Sequence, residues 1–171
     1  MSTTTVDHMD AGMDLLIFGA RGDLSARKLF PALYHLDNCE LLPAGVRIHA
    51  LAREDISLET FLNDIKARVR KYVDDSRWSE DQWARYASRF VYHRIDFSSA
   101  DDFSALSHML TQSRAALFYL ATPPSLFGPI CEHLGATGCL SGDRRLLLEK
   151  PIGHDLESCK DVNDKVAEYF S

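Results

Sequence analysis

The chain has 171 residues (19.3 kDa), an apolar fraction of 46% and a formal net charge of -6. That size and apolar content fit one domain with a sizeable core, and the acidic balance gives no support to nucleic-acid binding. The four cysteines, Cys39, Cys131, Cys139 and Cys159, form no Cys-x-x-Cys pair, and no run is long and apolar enough to cross a bilayer; free thiols, no metal, no membrane contact and a cytoplasmic location are the expectations.

Residues 1–12 are polar, with little hydrophobic periodicity, and read as a flexible leader to a domain over 13–171. A first strand is predicted over Asp14–Phe18, followed at once by Gly19-Ala20-Arg21-Gly22-Asp23-Leu24. Gly19 supplies backbone angles closed to other residues, and Gly22 permits close approach of a ligand. A helix starting near Gly22–Asp23 aims unpaired N–H groups at an anion, which suits a pyrophosphate. The glycine spacing alone also fits an ordinary strand–loop–helix turn.

The helix is expected to run from Asp23 to Leu36 through Leu24, Leu29, Leu33 and Leu36, with Pro31 kinking or splitting it. Val46–Leu51 is a second strand, and Arg53-Glu54-Asp55 leaves it as a charged loop. Ser57 is a predicted cap, with Leu58, Phe61, Leu62, Ile65, Val69 and Tyr72 on one helix face. A further helix follows Ser79, and Trp78, Trp83 and Tyr86 read as core. Phe90–Ile95 is a short strand, Ser99 caps a helix over Phe103–Leu110, and Ala115–Leu120 is an apolar strand. Ser125 opens a helix closed by Gly135 or Gly138, Arg145–Leu148 is a core strand, and Asp155–Phe170 is a last helix. Strands alternating with helices predict an α/β fold, a Rossmann-like, mostly parallel sheet with helices on both faces.

In such a sheet ligands lie beyond the C-terminal strand ends. Arg53 is the first charge after the second strand, where a cation favours the 2'-phosphate of NADP and the neighbouring acids favour the ribose hydroxyls of NAD. Arg21 either meets a phosphate or faces solvent. Pro123 and Pro124, after Ala121, form a stiff exit from the apolar strand. Lys150 can hold a substrate oxygen as a point charge or pair with Glu149. The seven histidines show no metal-ligand spacing. His154 lies nearest a strand-end loop, yet none is an evident general base.

Three ordered blocks then resemble the glucose-6-phosphate dehydrogenase family: Phe18–Tyr34, Tyr119–Pro124 with Phe127, and Glu149–Leu156. The resemblance implies NADP as cofactor, bound by Gly19, Ala20, Arg21, Gly22, Asp23, Leu24, Arg53, Ala121, Pro123, Pro124, Glu149, Lys150 and Pro151. It also implies that Lys150 touches the sugar. Enzymes of the family oxidise glucose 6-phosphate to 6-phosphogluconolactone, the entry step of the pentose phosphate pathway. Their sugar-phosphate signature, base histidine and C-terminal α+β domain have no counterpart in the sequence. The expectation is therefore a truncated, inactive NADP-binding domain with an uncovered surface prone to self-association. The alternatives are a stand-alone NADP(H)-binding regulatory module and a domain of another sugar oxidoreductase family.

Overall fold

The computed structural model describes residues 12–110, 113, 115–150 and 156–170. Its centre is β1 (Met13–Phe18), whose apolar run is buried on both faces, as a middle strand of a parallel sheet requires. The other strands are β2 (Arg47–Ala52), β3 (Phe90–Arg94), β4 (Ala115–Leu120) and β5 (Asp143–Leu148). All pairings are parallel, in the order β3-β2-β1-β4-β5. The chain reverses its direction of strand addition between β1 and β4. That reversal opens a crevice at their C-terminal ends.

Alternation along β1 divides the core. Leu15 and Ile17 face a cluster with Phe30, Tyr34, Phe61, Ile65 and Tyr86, carried by α1 (Phe30–Asn38), α2 (Leu58–Val69) and α3 (Glu80–Ala87). Leu16 and Phe18 face the opposite cluster, with Phe103, Phe127 and Leu134 from α4 (Ala100–Leu110) and α5 (Phe127–Ala136). The last helix, α6 (Leu156–Ala167), joins this cluster through Val162 and Val166. Phe18 packs on Phe97, Phe103 and Phe118 at 5.6, 6.1 and 6.5 Å between ring centroids. Burying each such ring is worth about 2–3 kcal/mol.

Pro31 is accommodated without ending the helix. The backbone is helical from Asp23, widens to a π turn over Ser25–Leu29 and returns to α geometry at Phe30. The Phe30 N–H donates to Ser25 O, five residues back, and this widening just before Pro31 gives room for a ring that would otherwise clash with the carbonyl four residues back. The buried face keeps ordinary helical spacing but lies beside the expected leucine row. Ala26, Phe30, Leu33, Tyr34 and Asp37 point inward, and Leu36 is exposed.

The cap of α2 is as expected, with Ser57 Oγ accepting from the Thr60 N–H at 3.1 Å. Its expected apolar face is narrower, because Leu58 and Tyr72 are exposed while Phe61, Ile65 and Val69 are buried. Trp78, Trp83 and Tyr86 surround the Tyr34 ring and form core, as their spacing suggested. Gly138 (φ +78°) closes α5, and Gly135 lies inside that helix.

A polar row interrupts the α4 side of the sheet. Asp14, fully buried, accepts from Arg47 Nε and Nη2 at 2.9 and 3.1 Å, from His49 Nε2 at 3.1 Å and from the Ser113 hydroxyl. His49 Nδ1 and His93 Nε2 share a further hydrogen bond of 2.9 Å. Burial works against the Asp14 carboxylate, but the hydrogen bonds from His49, Ser113 and Arg47 outweigh it and hold its pKa at about 2. Burial, then the adjacent His49, push His93 down to about 4 against the pull of Asp14.

Both folded values lie below the unfolded ones, 3.8 for Asp14 and 6.5 for His93, so the unfolded chain binds more protons in acid. Stability is therefore expected to fall as pH drops from 6.5 towards 4 through His93, then from 3.8 towards 2 through Asp14. The His93 part is on the order of 2 kcal/mol once its partial exposure is allowed for. Urea unfolding of wild type and His93→Gln across the upper window checks this. The variant should show the flatter profile.

Candidate functional site

Parallel register brings the strand ends together. Phe18 lies opposite Leu51 and Leu120, and Leu120 opposite Leu148. The segments beyond them, Gly19–Leu24, Arg53-Glu54, Ala121–Pro124 and Glu149-Lys150, thus line one edge of the sheet.

The glycine turn is built by backbone hydrogen bonds. The Gly19 and Ala20 N–H groups both donate to Leu51 O, at 3.0 and 3.1 Å, and the Gly22 N–H donates to Gly19 O at 2.9 Å. The buried Ser25 hydroxyl donates to that same carbonyl at 3.0 Å, bracing the turn from inside the helix. Gly19 has φ +81°, and a Cβ there would lie 2.8 Å from Ala121 O and 3.1 Å from Thr122 Cγ2. A Cβ on Gly22 would lie 3.0 Å from Gly19 O. A side chain does not fit at Gly19 and fits only tightly at Gly22, so both positions are bare backbone. Their own N–H groups are taken, and the first N–H groups of the helix that follows, at Asp23 and Leu24, lack intrahelical acceptors.

Two buried polar atoms beside the bend have no partner, Thr122 Oγ1 and Arg21 Nε. Orphaned buried polar groups are rare in native proteins, and both belong to residues that flank the Gly19 turn, which suits a ligand with phosphate oxygens. The bend and the donor set therefore fit the pyrophosphate of a dinucleotide.

The other candidate residues occupy varied settings around this edge. Ala20 is buried against the α1–α3 cluster, and Asp23 is exposed in an ion pair with Arg27 at 3.1 Å. Leu24 is half-buried in helical geometry. Arg53 is exposed at the exit of β2. Pro123 precedes a short turn over Pro124–Leu126, where the Leu126 N–H donates to Pro123 O at 3.0 Å. Glu149 accepts from the Tyr119 hydroxyl, whose pKa is raised by burial and by that carboxylate. Lys150 is exposed beside it, while Pro151 and His154 lie outside the described residues.

Arg21 neither faces open solvent nor stands free. Its guanidinium lies 3.6 Å from Glu54 and 3.4 Å from Asp64 of α2, and its carbonyl accepts from Arg68 at 3.0 Å. Sequence reasoning missed Ser25, Thr122, Asp64 and Arg68 at this site. Thr122, a hydroxyl directly after a strand end, carried a readable signal. Asp64 and Arg68 sit within an ordinary amphipathic helix and carried none.

Comparison with known proteins bears on this architecture. The family described as "Glucose-6-phosphate dehydrogenase, NAD binding domain" matches residues 16–171. Glucose-6-phosphate 1-dehydrogenase of Mycolicibacterium smegmatis is 37% identical over 164 residues, covering 92% of this chain and 33% of that protein. The enzyme of Dickeya dadantii is 33% identical over 159 residues, covering 92% and 32%. The crystal structure of glucose-6-phosphate 1-dehydrogenase from Mycobacterium avium superposes with a TM-score of 0.86 at 33% identity, over 95% of this chain and 35% of that one. A structure of glucose-6-phosphate dehydrogenase in complex with its substrate glucose-6-phosphate gives 0.82 at 31% identity, over all of this chain and 36% of the other. The chain spans about a third of the length of the curated relatives it matches.

Proposed function

The chain belongs to the glucose-6-phosphate dehydrogenase family, matching its NAD-binding domain, and from that premise we propose that it holds NADP along the edge formed by Gly19–Leu24, Arg53 and Ala121–Pro124. The single observation that carries the reading is the side-chain-free bend at Gly19 and Gly22, flanked by the orphaned Thr122 and Arg21 atoms. The N–H groups of Asp23 and Leu24, at the helix start after the bend, bind the pyrophosphate. Thr122 Oγ1 donates to an adjacent oxygen of the cofactor. Arg53 meets the 2'-phosphate as a charge-assisted donor. Pro123 and Pro124 wall the nicotinamide end, and Glu149 and Lys150 stand on the sugar side, where Lys150 orients the substrate.

The bound nicotinamide would accept hydride from C1 of glucose 6-phosphate in a protein with the length of the relatives. The residues of this chain bind and orient, and the proton taken from the sugar hydroxyl requires a base outside this constellation.

Calorimetric titration of the 171-residue chain and Arg53→Ala with NADP and NAD tests the assignment. The wild type should bind NADP more tightly. Arg53→Ala should lose roughly tenfold in NADP affinity, the worth of one charge-assisted contact, and keep its NAD affinity. Equal binding of both cofactors, unchanged in the variant, would refute the 2'-phosphate assignment.

A further inference from the structure

The surroundings of Arg21 carry a consequence for cofactor choice. Its guanidinium lies between two carboxylates from different elements, Glu54 Oε1 at 3.6 Å in the loop after β2 and Asp64 Oδ2 at 3.4 Å on α2. Glu54 and Asp64 are 47% and 38% exposed, so both carboxylates stay hydrated beside the glycine turn. Arg21 Nε is buried without a partner, so the guanidinium keeps a donor in reserve. The α2 side chain Arg68 pins the Arg21 carbonyl at 3.0 Å, which keeps the backbone of this position in place whichever partner the side chain takes.

The loop after β2 is also where a dinucleotide fold meets the adenosine ribose. The charges in contact with Arg21 oppose one another: Arg21 and Arg68 attract a phosphate, while Glu54 and Asp64 repel it and suit a ribose hydroxyl, and Arg53 and Asp55 flank Glu54 in the chain.

We propose that Glu54 and Asp64 form a carboxylate brake on the 2'-phosphate subsite: they compete with the phosphate for Arg21, and Glu54 accepts the 2'-hydroxyl when the ligand is NAD. The pair thereby holds the preference for NADP low and leaves the domain able to take either dinucleotide. A phosphate must displace at least one carboxylate to gain the two terminal nitrogens of Arg21 and otherwise meets only Nε, whereas a ribose hydroxyl binds without disturbing the pair. The inference rests on the dinucleotide reading of the glycine bend.

The test is calorimetric titration of the 171-residue chain with NADP and with NAD, for wild type, Glu54→Gln, Asp64→Asn and the double variant. Both positions are partly exposed, so melting temperatures should stay near that of wild type. Each single variant should tighten NADP roughly threefold and the double variant about tenfold, in keeping with partly screened charge pairs. Glu54→Gln should in addition weaken NAD by a few-fold, and Asp64→Asn should leave NAD unchanged.

NADP affinity that is unchanged or weaker in every folded variant overturns the brake and makes the two acids supports for Arg21. If that happens while Arg53→Ala still loses NADP selectively, only the brake fails. A wild-type chain that binds neither dinucleotide overturns the underlying reading and the brake with it.

Discussion

Replacing Gly19 with valine is expected to destabilise the domain by about 3 kcal/mol and to lower dinucleotide affinity by more than tenfold. The backbone at Gly19 has φ +81°, where a β-branched residue pays roughly 1–2 kcal/mol in strain. The added Cβ would also lie 2.8 Å from Ala121 O. That oxygen cannot swing away cheaply, because the Ala121 N–H is held by Phe18 O at 3.0 Å in the β1–β4 ladder. Relief therefore requires the two central strand ends to part.

Gly22→Ala provides the contrast. Its Cβ would lie 3.0 Å from Gly19 O, a contact that a shift of a few tenths of an ångström relieves, and its φ lies outside the left-handed region. It should cost only about 1 kcal/mol of stability while still narrowing the approach to the bend. Urea unfolding and calorimetry on both variants separate the roles. If Gly19→Val has wild-type stability, the left-handed turn against Ala121 is wrong.

Asp14→Ala is the second large effect, a loss of about 3 kcal/mol at pH 7. Asp14 is fully buried and accepts four hydrogen bonds from three side chains, so its removal strands the buried His49 and frees the Ser113 hydroxyl. Breaking one side of a buried charged network leaves the other side desolvated and unpaired, and that penalty dominates the lost attraction. The half-exposed Arg47 recovers water and contributes less.

Asp14→Asn keeps the shape, removes the charge and should fall between wild type and Asp14→Ala. It should also flatten the acid profile between pH 3.8 and 2, where the Asp14 carboxylate takes up its proton. Denaturant titration at pH 7 and in acid checks both statements. An Asp14→Ala loss below about 1 kcal/mol would show that the network is solvated in solution.

Much of this protein was legible one segment at a time. The apolar run of β1, the left-handed Gly19, the Ser57 cap and the Ala115–Leu120 strand arise from side-chain period, backbone freedom and local hydrogen bonding within a few residues. The Arg53 and Pro123-Pro124 positions were readable for the same reason, because each sits immediately past the C-terminal end of a recognisable strand. Where the local reading slipped, the cause was residue choice along one helix: the leucines suggested one face, while the buried row Ala26, Phe30, Leu33, Tyr34 and Asp37 keeps ordinary helical spacing beside it.

The sequence by itself thus determined the order of strands and helices and the bend at the end of β1, since both are set by torsions and patterns inside short windows. Only the tertiary structure decided the strand order, the placement of Asp64 and Arg68 against the glycine turn, the Asp37 pairs with Arg85 and Arg89, and the Asp14 contact with Ser113. Those partners stand between 43 and 99 residues apart. Pairing at such separations depends on which strands become neighbours and in what register, and periodicity along one segment carries no information about either.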